Sequence, residues 1–404
     1  MSSPHTPEPS LPLTRVRVLD FTQVMLGPCA TQLLGDFGAD VIKIERPKSG
    51  DLSRWSLPDD PAKLDNPVFC SLNRNKRSLV LDMKKDEARE IVRELARNAD
   101  VVVNNFRPGV MERMGLGYEE LKSLNPRIIF AVGTGFGRVG PYSHKGGQDV
   151  LAQALSGVMA RKSDPAHPTS IYATALADYS ASMHLVQGVL LALIHRQATG
   201  NGQMVDVSLY DSMLSMQTQE ASMWMMRREE LNWGAMPLSG VFQTTDGAVV
   251  LVGAFKQNPL QDICRALEMD DLSQEEQFAT MAALHENRAK LHAIFRERFS
   301  QESTAHWIEH LEAEDLLCAP VRDLGEALED PQTEINGMLV EAKGREGGPD
   351  DVIHMVGAPI HLSEAPVAIR HLPPGLGEHT HEILEELGYD SERITRLRQR
   401  GVIP

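Results

Sequence analysis

The sequence predicts an α/β protein: a parallel sheet with helices on both faces, followed by a smaller α+β module. Two patterns predict it. Short apolar runs alternate with amphipathic helical stretches through the first part of the chain, as repeated β-α-β units require. After about Trp233 the texture changes to a hairpin followed by helical patterns. The length of 404 residues agrees, since ~150 residues per domain gives two or three domains.

The elements follow in order. RVRVLDF (15–21) reads as a strand. A turn through Gly27-Pro28 leads into the helix CATQLLGDF (29–37), with Gly38 placed to close it, and VIKIE (41–45) returns as a second strand. SLVLDM is a strand, DEAREIVRELARNAD an amphipathic helix, and VVVNNF (101–106) a near-continuous apolar run of the kind buried on both sheet faces. YEELKSL and RIIFAVG continue the alternation. QDVLAQALSGVMA and 178–195 read as helices, VDVSL as a strand, and 210–232 as one long helix. Met213, Met216, Met223 and Met226 on that last helix are spaced by three and four, which predicts buried packing. VFQTTDGAVVLVG reads as a hairpin with Asp246-Gly247 at its turn. Helical patterns occupy 257–267, 285–299 and 304–314. Glycine, proline and charge dominate 341–351, and HEILEELG and SERITRLRQR are closing helices. Residues 1–12, rich in proline and serine, read as a flexible tail.

Composition narrows the function. Lys and Arg total 40 against 56 Asp and Glu, a net charge of -16, which disfavours nucleic acid and anionic lipid as main partners. A polyanionic small molecule needs only a local basic pocket. The cysteines Cys29, Cys70, Cys264 and Cys318 form no C-x-x-C pair, so neither a zinc knuckle nor a disulfide framework is expected, and a reducing cytoplasm is the natural compartment. The opening residues lack the apolar core of a secretory signal. The apolar stretch 185–194 is too short to span a bilayer and carries Gln187, so it reads as a buried core helix.

The opening β-α-β unit suggests a nicotinamide site, with Glu45 ending the second strand where an acid holds a ribose hydroxyl. The turn T-Q-V-M-L-G-P lacks the glycines that let backbone approach a pyrophosphate, so no NAD is expected. P-loop, H-E-x-x-H and G-x-S-x-G strings are absent, and the 14 histidines show no paired metal-ligand spacing, so no metal is expected. Asp178 precedes a helical pattern, where an aspartate serves as an N-cap.

Read as strings, the blocks carry more. RVRVLDFTQVMLGPCATQLLGDFGADVIKIERP, NRNKRSLVLDMK, ADVVVNNFRPGVMERMGLGYEELKSLNPRIIFAVGTGFG, ALADYSASMHLVQGVLLALIHRQATGNGQMVDVSLYDSML and GEHTHEILEELGY resemble, in order, the class III CoA-transferases. That family includes formyl-CoA and carnitine CoA-transferases and the α-methylacyl-CoA racemases. The resemblance covers nearly the whole chain from about Leu13. It implies a Rossmann-like large domain (13–225), a small α+β domain (235–325) and a linker with a C-terminal return to the large domain (326–404). It also implies an open-ring subunit that interlocks with a second copy as a homodimer. Coenzyme A is the implied acyl carrier, with an acyl-CoA donor and a carboxylic acid acceptor as partners.

The resemblance implies that Asp178, in A-L-A-D-Y-S, is the catalytic nucleophile. It carries Arg46, Lys84 and Arg113 onto nucleotide- and phosphate-contacting positions, with Lys145 near another basic one. Val24, Met25 and Leu26 are implied along the pantetheine arm, and Leu81 beside the adenine. Racemases of the family use a histidine in a G-H-D string, and here the string is Gly147-Gln148-Asp149. Glutamine cannot act as a base, and His144 would need a loop shift, so the sequence argues for transfer against racemisation. Gln148 is expected to donate a hydrogen bond near the acyl group. Asp149 assists catalysis or is simply a first-turn helix acid. A glycine run that closes over the intermediate in some members is replaced by M-P-L-S-G-V-F, with Gly240 alone, which argues against formyl or oxalyl specificity. Arg74, Arg138 and Lys256 are the cations considered for a distal acceptor carboxylate. A non-catalytic acyl-CoA-binding protein and an acyl-CoA hydrolase are the remaining alternatives.

Overall fold

The computed structural model describes residues 11–57, 66–164, 167–253, 255–343 and 352–404. Residues 1–10 of the expected tail, and 344–351 of the glycine- and charge-rich run, lie outside the described residues. The chain divides into two compact units. One comprises 1–158, 171–217 and 335–404, the other 159–170 and 218–334.

The first unit is built on a six-stranded parallel sheet: β1 (Arg17–Asp20), β2 (Asp40–Glu45), β3 (Lys76–Val80), β4 (Val101–Asn104), β5 (Ile129–Thr134) and β6 (Met204–Ser208). Its order is β3-β2-β1-β4-β5-β6, so the winding direction reverses between β1 and β4. Loops leaving the carboxyl ends of those two strands diverge and open a crevice, the usual ligand position in such sheets. Side chains alternate between two cores, as the strand period demands. Leu19, Ile42, Leu79, Val102 and Phe130 pack on one face with α2 (Asp86–Ala96) and α3 (Tyr118–Leu124). Val18, Val41, Val101, Val103 and Ala131 pack on the other with α1 (Leu26–Asp36) and α5 (Leu176–Thr199). Between them in sequence lies the short α4 (Asp149–Leu155), and α6 (Leu209–Met216) follows β6.

The edge strand β3 is covered by the C-terminal segment. The backbone N–H of Val80 donates to Thr380 Oγ1, and that of Asn75 to the His371 carbonyl. Arg77 is clamped by Asp40, Glu382 and Glu386. A covered edge does not recruit a foreign strand.

α5 is longer than the apolar stretch read from sequence. At 24 residues it is long and apolar enough, by length and composition, to cross a membrane. Yet Ala177, Ala181, Leu185, Val189 and Ala192 are buried within the sheet core, and Arg196 is buried against Asp100, which is the pattern of a core helix.

The expected long helix at 210–232 is broken. α6 ends at Gln217, whose side-chain amide turns back to the Ser156 and Met213 carbonyls, and a second helix, α7 (Thr218–Arg227), follows in the other unit. The methionine stripe is therefore not a buried one. Met213 is fully buried, whereas Met216 is 52% and Met226 84% exposed.

The second unit holds the hairpin β7 (Ser239–Gln243) and β8 (Ala248–Val252), with Asp246-Gly247 in its loop, and β9 (Leu317–Pro320) completes an antiparallel sheet. Asp246 also caps the helix Thr304–Ala313 by accepting from the Thr304 N–H and hydroxyl. Phe242, Phe295, Phe299 and Trp307 form its aromatic core, with Phe242 and Phe299 stacked at 4.8 Å.

Candidate active site

The crevice at the β1/β4 switch point is a cleft of about 410 Å³ lined by the 23–26 loop, the 105–108 loop, the 133–137 and 143–148 segments, and Asp178. Its shape begins with buried charge. Asp20 closes β1, Lys43 lies within β2 and Lys76 opens β3, each with no exposed surface. Lys43 Nζ is 2.8 Å from Asp51, and Lys76 Nζ is 3.2 Å from Asp20. Burial opposes ionisation of Asp20, but Lys76, Lys43 and the Thr22 and Thr31 hydroxyls outweigh it and hold its carboxyl below the usual range. Burial likewise opposes charge on Asp51, and Lys43 with the Val24 and Ser53 N–H groups holds its carboxyl below the usual range. Lys76 is pushed down to about 8 by burial, against the pull of Asp20.

This network grips the loop after β1. Lys43 Nζ donates to the Thr22 carbonyl at 2.9 Å, and the Thr22 N–H donates to Asp20 at 2.8 Å. Asn105, just past β4, accepts from the Gln23 N–H and donates to the Gln23 carbonyl, at 2.9 and 2.8 Å. The Val24 N–H donates to Asp51 at 3.0 Å. Val24 sits at φ 68, a left-handed conformation that a β-branched residue rarely adopts, so the surrounding bonds must hold it there. The consequence is a defined position for Leu26. Its carbonyl accepts from the buried Ser182 hydroxyl on α5 at 2.5 Å, and its N–H donates to the Asp178 carboxylate.

Asp178 lies in the first turn of α5, half-buried, and is not that helix's cap. The N-cap position is Ala175, which has no capping side chain, and the cap comes from Asp149. One Asp149 oxygen accepts from the Ala177 and Asp178 N–H groups at 2.7 and 3.0 Å, and the other from the Gln153 amide. Asp149 therefore opens α4 but satisfies the orphan donors of α5. Burial raises the Asp178 pKa to about 6, Asp149 adds like-charge repulsion, and the Leu26 N–H works in the opposite direction. Gln148 is exposed at the cleft rim beside Asp149. Gly147 passes so close to Gly135 that a Cβ on Gly135 would stand 2.3 Å from the Gly147 Cα, which brings the two lining segments together.

Val24, Met25, Leu26, Gln148, Asp178 and Lys145 all line the cleft, Lys145 with its ammonium 3.9 Å from the Tyr142 ring. Arg46, Lys84 and Arg113 are exposed and stand outside that lining. Arg46 donates to the Gly50 carbonyl and approaches Gln23, itself a lining residue. Leu81 has no exposed surface: it is packed in the sheet core, so the structure leaves it no face to offer an adenine. Glu45 is equally unavailable to a ribose, because it is buried and paired with Arg54.

The cations expected at a distal carboxylate are also committed elsewhere. Arg74 is buried and paired with Asp36, Arg138 pairs with Glu112, and Lys256 lies in the second unit near Asp262 and Asp315. Sequence reasoning missed Arg107, which lines the cleft. It also missed Asn105 and the Lys43–Asp51 pair, whose signal was a lysine between the isoleucines of V-I-K-I-E. No cluster that could hold a metal ion occurs among the described residues.

Comparison with known proteins identifies the family. Residues 13–380 match the family described as CoA-transferase family III. The chain is 35% identical to succinyl-CoA:glutarate CoA-transferase of Mus musculus, over 97% of this chain and 90% of that one. It is 34% identical to the beta subunit of succinyl-CoA–L-malate CoA-transferase of Chloroflexus aurantiacus, over 98% of each. A solved structure of a CAIB/BAIF family protein from Brucella suis superposes with a TM-score of 0.83 at 31% identity, covering 94% of this chain and all of the other.

Two outcomes follow. Lys43→Met leaves buried carboxylates uncompensated and should cost about 3–5 kcal/mol, read from urea unfolding; a loss below ~0.5 kcal/mol would show that the network is not what holds the loop. Asp178 has a folded pKa above its unfolded one, so its ionised form opposes folding above about pH 6, and the penalty fades as pH falls below that value. Asp178→Asn keeps the Leu26 hydrogen bond and should raise Tm by on the order of 2 °C at pH 7.5, with a smaller gain at pH 5. An equal gain at both pH values would contradict this account.

Proposed function

The chain belongs to CoA-transferase family III, and from that premise we propose that Asp178 is the nucleophile through which it passes coenzyme A from an acyl-CoA donor to a carboxylic acid. The observation that carries the reading is the setting of Asp178: a carboxylate in a cleft, with its pKa raised to about 6, fixed between the Leu26 N–H and the Asp149-capped helix start. At neutral pH it is ionised, and it is more basic than an ordinary aspartate, which suits nucleophilic attack.

The steps balance without an external reagent. The Asp178 carboxylate attacks the thioester carbonyl, forming a mixed anhydride and releasing CoA thiolate. The thiolate attacks the aspartyl carbonyl, giving an aspartyl-CoA thioester and freeing the donor acid as its carboxylate. The acceptor carboxylate attacks that thioester, forming a second anhydride and thiolate. The thiolate then attacks the acceptor's carbonyl, giving the new acyl-CoA and restoring Asp178. The Leu26 N–H, which donates to the Asp178 carboxylate, is the backbone donor placed at the reacting group. Asp149 positions Asp178 and keeps its pKa high. Gln148 donates a hydrogen bond at the rim. Arg46, Lys84 and Arg113, outside the lining, serve the nucleotide phosphates.

Succinyl-CoA is the donor we favour, since two relatives are named for it. Racemisation gains no support, because the cleft position facing the reaction is Gln148 and His144 is not part of the lining. We further propose an interlocked homodimer. α5 presents Tyr179, Leu191 and Ile194 to solvent, and α7 presents Trp224, Met225 and Met226, large apolar side chains that a second copy would cover.

Intact-mass analysis after incubation with succinyl-CoA should show a CoA-sized adduct that hydroxylamine clears and that Asp178→Ala lacks. Near-normal turnover by Asp178→Ala would sink the assignment. Adduct formation should decline on the acid side with an apparent pKa near the value of about 6 set by Asp178's surroundings. Asp149→Asn, which removes a neighbouring negative charge, should move that limb to lower pH; an unmoved limb would mean another group titrates.

A further inference from the structure

We propose that Gln153 is a positioning residue for the transfer reaction: its buried amide pins the Asp149 carboxylate against the start of α5 and ties it to the 171–174 segment, so that Asp149 keeps both its place and its negative charge beside Asp178. This rests on the reading of Asp178 as the nucleophile, and it names a group that acts on Asp178 through Asp149.

Gln153 lies one turn after Asp149 on α4 and has no exposed surface. A polar side chain so placed must find its partners inside the protein. Its amide nitrogen donates to Asp149 at 2.5 Å and stands 3.4 and 3.3 Å from the Tyr172 and Thr174 carbonyls. Its amide oxygen accepts from the Tyr172 N–H at 3.1 Å. These partners fix which way the amide points. A carboxylate and two carbonyls only accept, and a backbone N–H only donates, so the nitrogen and oxygen cannot be exchanged. Both Asp149 oxygens are then committed, one to Gln153 and the other to the Ala177 and Asp178 N–H groups. The 171–174 segment runs into α5, which begins at Leu176. One amide therefore holds both the acid that caps the helix and the chain that enters it.

The same bond bears on charge. A buried carboxylate that loses a donor favours its neutral form. A neutral side chain at position 149 could still accept from the start of α5, but it would no longer repel charge on Asp178. Other groups near Asp178 that carry or can take charge are Cys29 on α1, which shares the Ser182 hydroxyl, Tyr179 on α5 itself, and Arg107 and Lys145 in the cleft lining. Of these and Asp149, Gln153 bonds to Asp149 alone among the described residues.

The test reads Asp178 directly. Its ionisation midpoint is followed by carboxyl-carbon NMR on the full chain with isotope-labelled aspartate, and its resonance is assigned by loss in Asp178→Asn. The parent should titrate at about 6. Gln153→Met keeps the length of the side chain and removes the donor, so the midpoint should fall, in the same direction as in Asp149→Asn. Gln153→Glu should stay with the parent, because a buried carboxyl facing another retains a proton and can donate it. In the Asp149→Asn background, adding Gln153→Met should move the midpoint no further, and this pair carries the test if Gln153→Met alone does not fold. Turnover gives a second readout. Gln153→Met should lower kcat with KM for succinyl-CoA unchanged within ~3-fold, and its loss should depart from additivity with that of Asp149→Asn by roughly 2- to 100-fold. A midpoint unmoved by Gln153→Met, or a further shift on top of Asp149→Asn, overturns the proposal and leaves Gln153 a packing residue. A lowered midpoint in a protein that forms no covalent adduct with succinyl-CoA leaves Gln153 assigned and the nucleophile refuted; an adduct with an unmoved midpoint does the reverse.

Discussion

The site depends on keeping two lysines and two aspartates charged in a place without water. Lys43 and Lys76 belong to neighbouring strands of the sheet core, and both are fully buried. Desolvating four ions is costly, and mutual attraction offsets that cost only when the remaining lone pairs and protons also find partners. Here most of them do, and the partners are the chain segment that the cleft is made from. The Thr22 carbonyl and N–H, the Val24 N–H and the Pro28 carbonyl all bond to this cluster. The sheet core thus dictates a loop conformation that local preference would not select, including a valine in the left-handed region.

That rigidity reaches Asp178 through Leu26. Its two backbone polar groups join the loop to Asp178 and Ser182 on α5, and Asp149 fixes the start of the same helix from the opposite side. Under the proposed mechanism, a carboxylate held this way would need little reorganisation as charge moves. The same constraints explain why its carboxylate remains basic. It is partly withdrawn from water and has a second carboxylate nearby, while a single backbone N–H favours its ionised form.

The alternating strands and helices were legible in the sequence because each strand is buried on both faces and each helix carries an apolar stripe. Asp178 and Asp149 were legible only through their resemblance to a family block, and even then the capping role was given to the wrong residue. Nothing in A-L-A-D-Y-S tells that the cap arrives from a side chain 28 residues away. Leu81 followed a motif into a position that the fold seals inside the core. The methionine spacing described a helix face correctly, but the helix breaks at Gln217 and leaves most of that face outside any core of the chain. Arg107 escaped notice because N-F-R-P-G reads as a loop with an ordinary surface cation; its character comes from the absence of a partner, which only coordinates reveal.

Charge sign then decides what the cleft can hold. The chain carries a net charge of -16, and its acidic surface repels the anions that the proposed reaction requires. Selectivity for an anionic acyl group therefore cannot be a property of the whole molecule and must be generated inside the cleft, where low-dielectric walls strengthen each charge. Two cations face one carboxylate there, and that carboxylate's charge is spent in forming the first covalent bond. Under the proposed mechanism, acylation of Asp178 would leave the charged lining wholly positive, a setting that favours an anionic acyl group over a neutral one.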